Sequence, residues 1–75
     1  MYEIAKSLLN KYVEIYTYLS LDKLYGELIV ATPYEVVLLR KHIEKASNQN
    51  YALYIPLSSI IYIKKLLFLF LILYF

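Results

Sequence analysis

Hydrophobic positions in this chain change period several times. Over Met1–Lys11, Ile4, Ala5, Leu8 and Leu9 fall on one helical face and Glu3, Lys6, Ser7 and Asn10 on the other, which predicts a short amphipathic helix. Over Tyr12–Ser20 two periods compete. With period two, Val13, Ile15, Thr17 and Leu19 point one way and Tyr12, Glu14, Tyr16 and Tyr18 the other. With a 3–4 spacing, Ala5, Leu9, Tyr12, Tyr16 and Leu19 prolong the helix. The aromatic and β-branched residues favour a strand after Lys11.

Leu21-Asp22-Lys23 is a polar break. Leu24–Ala31 reads as a strand, and Gly26, the chain's single glycine, marks a bend, a bulge or a close backbone approach within it. Thr32-Pro33 is a fork. Thr32, Pro33 and Glu35 spell a helix start, with Thr as N-cap, Pro at the first helical position and Glu closing a capping box. Val36, Leu39, Ile43 and Ala46 would then form a helical stripe. Alternatively, Pro33 lies at a bend and Tyr34–Arg40, a nearly unbroken apolar run, is a buried strand. Lys41–Asn50 is then a polar hairpin loop. The bend is the preferred reading.

Tyr51–Leu57 alternates as a strand, with Pro56 marking an edge position or the strand's end. Ser58-Ser59 is a tight break, and Ile60–Ile63 is a short β-rich run. After Lys64-Lys65 comes Leu66–Phe75, apolar except for the Tyr74 hydroxyl. A spanning helix needs about 20 apolar residues, roughly twice this run. The organisation is therefore a single domain over 1–65 with an apolar tail over 66–75. That tail reads as an element buried in an oligomer, a membrane-surface anchor with the lysines at the headgroups, or a terminus with no selected role. Leu66, Leu67, Phe68, Phe70 and Leu71 are its candidate oligomer or membrane contacts.

Composition sharpens the case for association. Of 75 residues, 61% are hydrophobic, against about 45–50% in ordinary domains. A chain this short has a small core, and with no cysteine and one histidine it has neither a disulfide framework nor a zinc site to staple it. A homo-oligomer is expected. Absent cysteine and the lack of a secretory signal pattern fit a cytoplasmic protein, with membrane association through the tail as the variant. The net charge of +2 is a weak nucleic-acid signal. The ten tyrosines suit strands and interfaces as well as base stacking.

Residues 2–65 resemble the Sm/LSm family, which includes the Hfq-like RNA chaperones. The carriers are Gly26-Glu-Leu28, similar to the family's G-x-hydrophobic in its second strand, Tyr34-Glu-Val-Val-Leu38 in the third, and Tyr54-Ile-Pro-Leu-Ser-Ser-Ile60, similar to its second motif. The resemblance implies a mainly β fold: an N-terminal helix followed by a five-stranded, strongly bent antiparallel open barrel. It further implies assembly and RNA binding. Thr32 stands where the family commonly has Asp, Val36 lies near its RNA-contacting Asn, and Ile55-Pro56 replaces the chaperones' Lys-His. RNA contact would therefore fall to Tyr34 as a stacking ring with Arg40 and Lys41.

No catalytic constellation stands out. His42 sits among charges without a partner for general-base work. Ser58 and Ser59 lack a nucleophile-elbow pattern, Glu27 and Glu35 each suit a surface or capping role, and one glycine cannot make a phosphate loop. The expectation is a non-enzyme without metal or cofactor: an Sm-like assembly module that binds RNA. The alternative is an α+β interaction or membrane-associated module with helices at 2–20, 33–46 and 59–75, acting through its tail.

Overall fold

In the computed structural model, residues 1–41 and 50–66 are described. A short helix, α1 (Tyr2–Ser7), precedes five strands: β1 (Tyr12–Thr17), β2 (Leu24–Ala31), β3 (Glu35–Lys41), β4 (Asn50–Pro56) and β5 (Ile60–Lys65). One 3-10 turn, η1 (Leu57–Ser59), joins the last two strands. All pairings are antiparallel, in the order β4-β3-β2-β1-β5. The fold is mainly β, and the sheet does not close into a barrel.

The helix ends at Ser7, earlier than the periodicity to Lys11 suggests. Asn10 adopts φ 66°, a left-handed conformation that Asn tolerates better than most residues. The turn it makes lays the linker beside β2: Asn10 N–H donates to the Leu28 carbonyl at 2.7 Å and Leu28 N–H to the Lys11 carbonyl at 3.0 Å. Ala5, Leu8 and Leu9 face the core as the helical stripe predicts, but Ile4 stays about half exposed.

The alternative of three long helices is overturned, because Tyr12–Thr17, Glu35–Lys41 and Ile60–Lys65 are strands. At Thr32 the helix-start signal is chemically real yet leads elsewhere. Its Oγ1 accepts the N–H groups of Tyr34 at 3.2 Å and Glu35 at 3.0 Å, as an N-cap side chain would. Thr32 N–H then donates to the Glu35 carbonyl at 2.9 Å, closing a reverse turn. Val36 and Val37 continue as strand, where β-branched side chains fit. The polar loop expected over Lys41–Asn50 lies mostly outside the described residues.

Val13, Ile15, Leu28, Val36, Leu38, Ile55, Ile60 and Ile63 form one buried cluster with Ala5 of α1. It draws on all five strands, including both edges of the sheet, so the sheet must curl until the inner faces of β4 and β5 share a core. Gly26 makes part of that curl possible. A Cβ there would stand 2.8 Å from the Leu39 carbonyl oxygen and 3.2 Å from Arg40 Cγ. A second device is a bulge: Leu28 pairs with Leu38 and Val30 with Val37, leaving Ile29 as the extra residue.

Gly26→Ala should destabilise the fold by about 1–3 kcal/mol, since a backbone oxygen has to move to admit the methyl. In a domain this small that lowers the melting temperature by roughly 4–8 °C per kcal/mol. A thermal melt followed by circular dichroism measures it, and an unchanged midpoint would refute the close-approach role.

Candidate functional site

The residues expected to contact RNA do not converge. Tyr34 sits in the β2–β3 turn and is 83% exposed. Its backbone is held on both sides, by Thr32 Oγ1 and by Leu57 N–H, which donates to the Tyr34 carbonyl at 2.9 Å. Arg40 and Lys41 lie at the far end of β3, six and seven residues on, roughly 20 Å away along an extended strand. Arg40 rests instead over the Tyr51 ring, 5.7 Å from its centroid, and Lys41 pairs with Asn50 in the register of β3 and β4.

The turn that carries Tyr34 is tied instead to η1. Tyr18 N–H donates to the Ser59 carbonyl at 3.2 Å, so η1 is flanked by the β2–β3 turn on one side and the start of the β1–β2 loop on the other. Tyr18, Leu19 and Leu21 of that loop are largely exposed. Leu19, expected on the inner face of a longer strand, falls beyond the end of β1.

Of the tail contacts, Leu66 is buried, and its N–H donates to the Tyr12 carbonyl at 2.9 Å. Leu67, Phe68, Phe70 and Leu71 lie outside the described residues, as does His42. Ser59 is buried with its hydroxyl donating to the Pro56 carbonyl at 2.7 Å, a structural use. Glu27 pairs with Leu39, four residues from Glu35, so the two carboxylates stand about 13 Å apart along the strand. Among the described residues no group of His, Cys, Asp and Glu could hold a metal ion, and no helix is long and apolar enough to cross a membrane.

A concentrated polar cluster among the described residues involves none of the expected site residues. Glu14 points to the outer face of β1, yet it is only 4% exposed. Its neighbours across the sheet are Tyr25 of β2 and Lys64 of β5, with Tyr62 on the diagonal. Tyr62 Oη donates to Glu14 Oε2 at 2.6 Å, a charge-assisted bond of the strong kind. Lys64 Nζ stands 3.5 Å from the same oxygen and 5.7 Å from the centre of the Tyr62 ring, and Tyr16 packs on Tyr62 with ring centroids 5.7 Å apart. The only hint in the sequence is a lone carboxylate between Tyr12 and Tyr16 and a Tyr62-x-Lys64 pair 48 residues later.

Two opposed shifts follow. The Tyr62 hydroxyl, against the cost of burial and aided by Tyr25 and by Lys64 and Lys23, holds the Glu14 carboxyl below its usual range. The same bond to Glu14, with burial, pushes the Tyr62 hydroxyl up to about 12.

No family model, curated protein or solved structure matches this chain.

A carboxyl lowered in the folded state adds stability above its unfolded value of about 4.3, and that share is lost as pH falls through the lower folded value. A phenol raised in the folded state adds stability below about pH 10, lost as pH rises towards 12. Ultraviolet titration should therefore show one tyrosine ionising near pH 12. Glu14→Gln should bring that ionisation back towards 10 and flatten the acid limb of the stability curve. A Tyr62 that ionises with the bulk in wild-type protein would refute the pairing.

Proposed function

We propose that this protein is a non-catalytic, Sm-like assembly module that joins copies of itself edge to edge, β4 of one protomer against β5 of the next. The single observation that carries the proposal is a curled sheet with both edges unpaired by any other described strand. An open edge presents a row of unused backbone donors and acceptors. The two edges differ, so pairing one with the other is heterologous. Repeating it closes a ring if the rotation allows and otherwise makes a filament.

The side chains support this reading. Leu53 and Leu57 at the β4 end of the core are packed against it but only partly buried, and a neighbouring β5 would cover them further. Apolar area covered in this way is worth about 25 cal/mol per Å². Pro56 at the end of β4, the bulge in β5 and the lysines 64 and 65 limit how far such pairing can run, as edges of soluble sheets commonly do.

RNA is the proposed ligand of the assembly, and Tyr34 is its contact. An exposed ring on a fixed turn can stack on an unpaired base, and every protomer of an assembly repeats it. With Arg40 and Lys41 distant, binding rests on stacking and on the general positive charge of the chain.

Sedimentation equilibrium at micromolar concentration should give one defined multiple of 8.9 kDa for a closed ring, or a mass that grows with concentration for a filament. Placing a charge on each edge, Tyr54→Lys with Ile61→Lys, should return the protein to a monomer with an unchanged β spectrum. Monomeric wild-type protein would reject the assembly. For the ligand, Tyr34→Ala should weaken single-stranded RNA binding by about 1–3 kcal/mol, the value of one stacked base. Equal affinity of wild type and variant would exclude Tyr34 without touching the assembly.

A further inference from the structure

The pairing of β5 on β1 changes step once. Thr17 faces Ile60, but Tyr16 faces Tyr62, so Ile61 is an extra residue without a partner on β1. It bulges out and is about half exposed. Beyond it Ile63 lies opposite Ile15 and Lys64 opposite Glu14.

Without the bulge, every later residue would move by one place. Tyr62 would face Ile15 and enter the core where Ile63 now sits, and Ile63 would face Glu14. A one-residue change of step turns a whole strand over. The hydrophobic pattern alone weakly opposes this. From Ile60 to Phe75 the chain is almost continuously apolar, and Tyr62, Lys64, Lys65 and Tyr74 are its only polar side chains. An apolar run of that kind specifies register poorly.

Glu14 supplies what the pattern lacks. Its carboxylate is buried and accepts the Tyr62 hydroxyl at 2.6 Å with Lys64 at 3.5 Å. In the straight register it would face Ile63 and lose both its β5 partners, keeping only Tyr25 and Lys23, and a buried charge stripped of its closest partners is disfavoured. The groups facing it are Tyr62 and Lys64 from β5, Tyr25 from β2 and Lys23 from the β1–β2 loop.

We infer that Glu14 is a register-selecting residue: it rejects the straight pairing of β5, enforces the bulge at Ile61, and so fixes which backbone atoms β5 offers at the sheet edge. Glu14 thereby sets the specificity of assembly.

The test is nuclear magnetic resonance of the full chain, reading cross-strand α-proton contacts and amide exchange in β5. Wild-type protein should show position 14 against Lys64 alone. Glu14→Leu should add a second set with position 14 against Ile63. Protection of the Ile60–Lys65 amides should fall roughly tenfold, in keeping with the loss of one hydrogen bond to a charged group, while β2 and β3 keep theirs. Tyr62→Phe, which removes one hydroxyl from a half-buried ring, should shift β5 protection in the same direction and decides the matter if Glu14→Leu does not fold. Wild-type pairing alone in Glu14→Leu, or undiminished β5 protection in Tyr62→Phe, would overturn the inference. Only the consequence for assembly rests on edge pairing: a monomeric wild type rejects that reading and leaves these contacts readable.

Discussion

The approach of β2 to β3 at Gly26 is the constraint on which the rest of the structure depends. The space a side chain would need is taken by the Leu39 carbonyl oxygen. Curvature is gained there and again at the Ile29 bulge. Because the sheet curls, Ile55 of one edge strand and Ile60 and Ile63 of the other reach a single core with Ala5 of α1. A flat sheet of these strands would leave an apolar face in water. The curled sheet buries that face yet leaves both edges unpaired by any other described strand, the feature from which the proposed assembly follows.

Curvature by itself leaves the last strand underdetermined. The inner face asks only for apolar residues at alternate positions, and in β5 it opposes the other phase weakly, by Tyr62 in the place of Ile63. The outer face settles the phase through Glu14. Core and outer face thus divide the work: apolar burial supplies the driving force, while one buried carboxylate, satisfied by Tyr62 and Lys64, supplies uniqueness. Placing the discriminating group beside an edge strand ties internal register to the edge proposed for assembly.

Local chemistry was legible where neighbours in sequence are neighbours in space. The alternation of Val13, Ile15 and Thr17 matched the buried face of β1; Gly26 left a bend, a bulge or a close approach open, and the close approach is what stands there; Pro56 left an edge or a strand end open, and it is both. Thr32 was ambiguous for a physical reason, since its hydroxyl makes the same two contacts in a reverse turn as in a helix cap; only the Val-Val-Leu-Leu that follows decides between them. Cross-strand relations were not legible. Nothing local says that Glu14 meets a tyrosine 48 positions away, or that Arg40 turns to Tyr51 rather than joining Tyr34. Tyr34 was singled out as a stacking ring but placed in the buried strand with the cations, so neither its exposure in the turn nor its separation from them was legible.

If the two sheet edges are partners across protomers, their amides must report concentration. Hydrogen exchange over Asn50–Pro56 and Ile60–Lys65, measured on the full chain from high to low protein concentration, tests this most directly. Protection in both segments should rise together with concentration while β2 stays constant. Exchange in β4 and β5 that is independent of concentration across the same range would contradict edge-to-edge assembly.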